Sequence, residues 1–269
     1  MEKAGTMAIS GGMIIIMAVV GLGLLFIPIG TYWWLKKRYH LISKPVWVGV
    51  VVFVIAVLVL ERILHAVVLH PSADGTIALA SRYPFWYVIY GALAAGIFEE
   101  TGRFLAFRYL KKRVSGIQTA LAYGIGHGGV EMILVGAMGM VNYIVISVAI
   151  NAKDSAILSR LPNEAIQSLM NHAGSTTANI FFERLGAFAI QIFLSIIVWA
   201  AVNYVQKSWL YPLAIGLHAI VDVPSAMFQA GLISNELIVN ALLWLCVLLL
   251  GLFVYFYIGR LEKGSSLLN

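Results

Sequence analysis

No charged side chain stands between Lys3 and Lys36, and none between Glu236 and Arg260. An apolar helix of about 20 residues is enough to cross the hydrocarbon layer of a bilayer. With no water there to satisfy the backbone, only helices and closed barrels can cross. The apolar residues here run on without polar alternation, so the reading is helix. Composition agrees: 61% of the chain is hydrophobic and 11% charged, where soluble domains carry about 25% charge. A net charge of +6 fits cytoplasmic loops rich in Lys and Arg better than a nucleic-acid partner. The lone cysteine, Cys246, excludes an intramolecular disulfide and a thiolate metal cluster. Met1–Ser10 carries few charges and precedes an apolar run long enough to span, which predicts a retained first helix and not a cleaved signal peptide.

Seven spans are predicted, roughly Ile9–Trp33, Val46–Leu69, Pro84–Phe107, Ile117–Ile150, Ile180–Val205, Trp209–Ile233 and Leu237–Ile258. The fourth is too long for one straight crossing and rich in glycine (Gly124, Gly126, Gly128, Gly129, Gly136, Gly139), so it is tilted, kinked or broken in two. The fold class is therefore an all-α, polytopic transmembrane bundle of seven or eight helices. It forms one integral membrane domain over 1–269, with a polar core on helices within 84–150 and 180–233. With the N-terminus outside, cytoplasmic ends hold Lys36, Lys37, Arg38, Lys44, Arg108, Lys111, Lys112, Arg113, Lys207, Arg260 and Lys263, against Lys3, Arg82, Lys153 and Arg160 outside. That bias predicts N-out and C-in, in what reads as a bacterial cell membrane. Two outer segments, 70–83 and 151–177, mix polar and apolar residues as interfacial helices or lids do. Trp33, Trp34, Trp47, Trp86, Tyr87, Trp209, Tyr211, Tyr255 and Tyr257 read as interfacial anchors.

Charges at membrane depth are costly and mark function. The third span holds Glu99, Glu100 and Arg103, the fourth His127 and Glu131, the sixth His218 and Asp222. Glu100 lies eleven residues from Lys111, His127 fourteen from Arg113, and His218 eleven from Lys207. At about 1.5 Å per residue, each sits roughly 16–21 Å from its cytoplasmic marker. Three helices thus deliver a carboxylate and two imidazoles to one level. His127 with Glu131, and His218 with Asp222, are i,i+4 pairs on one face, where the acid orients the imidazole or shares its ligand. Arg103 reaches Glu99 at i+4 and Glu100 at i+3, so it can hold one as an anion and leave the other to act as a general base. Gly126, Gly128 and Gly129 admit a neighbouring helix or an extended substrate backbone at close range. Glu61, Arg62, His65, Glu183 and Arg184 lie nearer the outer face and read first as an ion-pair cluster closing the bundle. His70 and His172 read as loop histidines.

Glu99-Glu100-Thr101-Gly102-Arg103 resembles the E-E-x-x-R motif of the CAAX-prenyl protease/bacteriocin-processing superfamily of intramembrane proteases. Tyr123 four residues before His127 resembles its second motif, and His218 four before Asp222 its third. The added Gly128-Gly129-Val130-Glu131 is similar to the YhfC-type branch, related to the PrsW-type proteases. The likeness covers helices three to six, about half of the chain. It implies that Glu99 or Glu100, with His127, activates a water molecule, and that His218 and Asp222 polarise the scissile carbonyl. It also implies a choice between a metal-free glutamate protease and a zinc enzyme, with His127, His218 and a carboxylate as zinc ligands. The HExxH pattern is absent. Asp222 at the third motif and the added Glu131 make this set richer in carboxylates than the prenyl-protease pattern. The substrate implied is a membrane-embedded or membrane-proximal peptide.

A rival reading stands beside this one. Carboxylates and histidines at mid-membrane also build proton relays in ion-coupled transporters, though no repeat of the kind transporters show is evident. A third reading is a non-catalytic scaffold or immunity protein. For Glu99, Glu100 and Arg103 the plain alternative is a buried ion pair holding helices together.

Overall fold

In the computed structural model, which describes residues 8–72, 76–114 and 116–261, the described residues are helical and include no strand. Ser10 starts the first helix, accepting from the Met13 amide at 3.1 Å. Helix α1 (Gly11–Tyr39) closes with Lys36, Lys37 and Arg38 in its last turn, where cations complement the terminal carbonyls. Then come α2 (Ser43–Leu69), the short α3 (Ala78–Arg82) and α4 (Pro84–Leu110), which opens on its proline, a residue whose missing N–H is harmless there. They are followed by α5 (Gln118–Ala152), the single turn α6 (Ser155–Leu158), α7 (Asn163–Asn203), α8 (Leu210–Gln229) and α9 (Glu236–Leu261).

Six of these, α1, α2, α5, α7, α8 and α9, are long and apolar enough to cross a membrane. Helix α4 is as long but holds Glu99, Glu100 and Arg103, and it does not join that set. By length and apolarity alone six helices qualify, where the sequence suggested seven or eight spans, α4 among them. Lys3 and Lys263, used in reading the orientation, lie outside the described residues. The glycine-rich fourth segment is one continuous helix, loosened to π geometry over Met132–Ala137. Helix α2 is π-helical over Val54–Glu61. Such wide turns rotate the face presented by everything beyond them, and they recur at functional sites.

Segment 151–177 differs most from expectation. Asp154 caps α6 through the amides of Ala156 and Ile157. From Asn163 the chain is already in α7, bending at His172 (φ −127°, ψ 15°). Ile166, Leu169 and Ala173 recur at helical spacing, and Leu169 and Ala173 are buried, so packing carries the helix well beyond the apolar run that marked the span.

The outside of the bundle is apolar: Val19, Leu22 and Phe26 on α1, and Leu245, Leu248 and Leu249 on α9, are all exposed. On a soluble protein such a surface would be an aggregation site; here it is the face offered to lipid. Inside, glycines let backbones meet. A Cβ on Gly126 would stand 2.0 Å from the Val46 carbonyl oxygen, and one on Gly49 would stand 2.4 Å from that of Tyr123. Helices α2 and α5 therefore cross in backbone contact beside His127. The room around Gly128 and Gly129 is filled by Gln191 and Pro28, hence by neighbouring helices and not by an extended substrate.

Candidate active site

Helix α4 presents Glu99, Glu100 and Arg103 to α5, α7 and α8, and all three are buried. Arg103 Nη1 donates to both oxygens of Glu100, at 2.8 and 3.0 Å, while Nη2 lies 4.0 Å from Glu99 Oε2. The arginine thus holds Glu100 closely and leaves Glu99 to other partners. His127 Nε2 is 2.9 Å from Glu99 Oε2. From α8, His218 turns Nδ1 to Glu100 Oε1 at 2.6 Å and Nε2 toward Glu99 Oε1 at 3.9 Å. Glu100, His127 and His218, placed at one depth by counting residues, are drawn together through the Glu99–Glu100 pair.

The surroundings fix each ring. Tyr123 lies one turn before His127, stacked on it at 5.7 Å, with its hydroxyl 3.4 Å from His127 Nδ1. Phe53 meets the same imidazole edge-on at 5.2 Å. Asp222, one turn after His218, stands 3.5 Å from its Nε2. The pairing of Glu131 with His127 expected from their spacing does not form. Glu131 turns instead to Arg184 Nη1 at 3.1 Å and to Gln191 Nε2 at 2.8 Å. Arg184 attracts it more strongly than a ring already held by Glu99 and Tyr123. Arg184 also holds Glu183 through Nε at 2.8 Å.

Part of this constellation borders a cavity of about 480 Å³, while Glu100, Arg103 and His127 lie behind its wall. Its wall includes Glu99, Glu131, Gln191, His218 and Asp222, and also Glu61, His65, Glu183 and Arg184. Apart from Arg62, the set read as a separate cluster near the outer face therefore shares one chamber with the deep set. Glu61 pairs with His65 Nε2 at 3.2 Å, and His65 Nδ1 meets the Tyr90 hydroxyl at 2.9 Å. Tyr87, read as an anchor, also lines the chamber and donates to Gln229. Tyr211, read the same way, stacks on Phe104 at 4.4 Å and bonds Thr101.

Gln191 is the residue that sequence reasoning missed. It is buried, bonds Arg103, Glu99 and Glu131, and being uncharged gives no signal against an apolar run.

A family model described as YhfC intramembrane metalloprotease matches residues 23–243, a stretch that contains every group just described. The chain belongs to this family. It is 32% identical, over 228 residues, to the Bacillus subtilis (strain 168) protein "Uncharacterized membrane protein YhfC", covering 82% of this chain and 87% of that one. No solved structure is significantly similar to it. With the six apolar helices, membership makes the chain an integral, multi-pass membrane protein.

The family description implies a metal. Among the described residues no three His, Cys, Asp or Glu side chains form a ready cage for an ion. The donors present, two imidazoles and a carboxylate, are of the chemical kind that binds zinc. Both Nε2 atoms, of His127 and His218, face opposite oxygens of Glu99. Both Nδ1 atoms are engaged behind them, by Tyr123 and Glu100. That is the arrangement by which ligand imidazoles are oriented, one nitrogen toward the metal and the other on a carboxylate or similar partner.

Proposed function

We propose that this protein hydrolyses peptide bonds within or next to the membrane, and that the reaction takes place at Glu99 on the wall of the 480 Å³ chamber. One observation carries the reading: a single carboxylate is placed between two imidazoles that reach it from separate helices, in a polar chamber inside an apolar bundle. Glu99 takes a proton from a water molecule in the chamber as the oxygen attacks the scissile carbonyl, and returns it to the leaving amine. His127 Nε2, held at 2.9 Å, keeps the carboxylate aimed. His218 directs its Nε2 edge, flanked by Asp222, at the developing oxyanion. Glu100 is the partner of His218 and Arg103 and sits behind the reacting groups. A metal such as zinc would be held by His127 and His218, with Asp222 beside them, and would supply Lewis-acid polarisation of the same carbonyl. Glu131 acts from outside the reacting centre, through Gln191 and Arg184.

The substrate class is a peptide segment in or near the bilayer, since the chamber lies among membrane helices. Membership in a family described as metalloproteases favours this over ion-coupled transport. The test is cleavage of fluorescein-labelled casein by purified protein in detergent. Glu99→Gln, His127→Ala and His218→Ala should each lose about 10²–10⁴ in rate while keeping the helical circular dichroism of the parent. Parental turnover by His127→Ala would remove the proposal.

A further inference from the structure

Gln191 stands on α7 where three charged groups from two other helices converge. Its side-chain oxygen accepts from Arg103 Nη2. Its nitrogen donates to Glu99 Oε2 at 2.9 Å and to Glu131 Oε2 at 2.8 Å, which uses both N–H bonds of the amide. A guanidinium on one side and two carboxylates on the other permit one orientation of that amide: reversed, it would set oxygen against two anions and NH₂ against a cation. The side chain has no room to withdraw, because a Cβ on Gly128 would stand 2.8 Å from that of Gln191.

The consequence falls on Glu99. Its Oε2 receives two donors, Gln191 Nε2 and His127 Nε2, both at 2.9 Å. With Oε2 occupied, Oε1 is the atom left toward His218, 3.9 Å away. We infer that Gln191 is a positioning residue. It pins one oxygen of Glu99 so that the other is presented to the reacting water, and it holds Glu131 apart from the reacting centre with its second N–H. This rests on the reading of Glu99 as the proton acceptor. A mere helix tie would make the same contacts, but its loss would track stability and would leave the set of the carboxylate alone.

Three variants separate the two roles: Gln191→Leu, Gln191→Glu, and the exchange Gln191→Glu/Glu131→Gln. The exchange restores an amide–carboxylate bond between α5 and α7 but faces Glu99 with an anion. The Glu99 carboxylate band, assigned by infrared difference against Glu99→Gln, should shift in Gln191→Leu and in Gln191→Glu. On labelled casein, Gln191→Glu should lose about a hundredfold in kcat, the scale of a misplaced catalytic group, with KM unchanged. The exchange should recover the unfolding midpoint in sodium dodecyl sulfate without recovering kcat. A Glu99 band that stays in place in Gln191→Leu, or a kcat that returns together with stability in the exchange, would overturn the inference. Casein left uncut by the parent protein would count against the proteolytic reading, and the infrared band would still decide the role of Gln191.

Discussion

Arg103 and Glu100 are both inaccessible, their side chains 0% exposed, and joined at 2.8 Å by an i,i+3 ion pair within α4. Removing one partner of such a pair leaves an uncompensated charge and costs about 3–5 kcal/mol. Here the lower half of that range is expected, because each survivor keeps something. Without Glu100, Arg103 still donates to Gln191 and has Glu99 at 4.0 Å. Without Arg103, Glu100 still receives His218. Arg103 Nε is a buried donor with no hydrogen-bond partner among the described residues, so the guanidinium gains nothing there to offset the loss. Glu100→Leu and Arg103→Met should each cost about 3 kcal/mol, roughly a hundredfold in the unfolding equilibrium. The double variant has no stranded charge. It loses mainly the partners of His218 Nδ1 and of the Gln191 oxygen, about 1–3 kcal/mol in all. The double should therefore be more stable than the sum of the singles by about 3–5 kcal/mol, well beyond the ~0.5 kcal/mol within which independent sites add. Unfolding by sodium dodecyl sulfate in mixed micelles, followed by circular dichroism, measures all three. Singles that simply add, or an Arg103→Met protein as stable as its parent, would refute the assignment of this pair as a mutually compensating buried unit.

Three further outcomes follow. Gly126→Ala should destabilise by about 1–3 kcal/mol, the usual cost of overpacking, because the new Cβ meets the Val46 carbonyl; Gly139→Ala, with open space around it, should not, and equal unfolding midpoints for the two would contradict the close crossing of α2 and α5. If the His127 and His218 donors hold a metal, zinc measured by plasma mass spectrometry should co-purify with the parent and fall by half or more in His127→Ala/His218→Ala, and equal content in both would dismiss these ligands. An N-out, C-in arrangement predicts that Arg160→Cys in a Cys246→Ser background is labelled from outside intact cells by an impermeant maleimide while Lys111→Cys is not, and the opposite pattern would invert the topology.

The sequence exposed those features of the bundle that depend on local chemistry. An uncharged apolar run reports a span wherever it occurs, and the distance of Glu100, His127 and His218 from the nearest basic residue reports depth, because helical rise is constant. Those three residues do converge. Depth, however, carries no azimuth. Spacing placed Glu131 on the same face as His127, but only the packing of α7 against α5 decides that Arg184 and Gln191 claim it. Nor does depth separate sites: Glu61 and Glu183 sit at another level by residue count yet open on the same chamber, and Glu61 ends a π-helical stretch that redirects its face. Gln191 was illegible for a different reason. An amide costs far less to bury than a charge, so it leaves hydropathy unchanged, while three charged neighbours make it the most heavily bonded neutral side chain in the site. Ionised residues in a membrane helix show where chemistry can occur, whereas the polar neutral residues that set its geometry become visible only once the helices around them are in place.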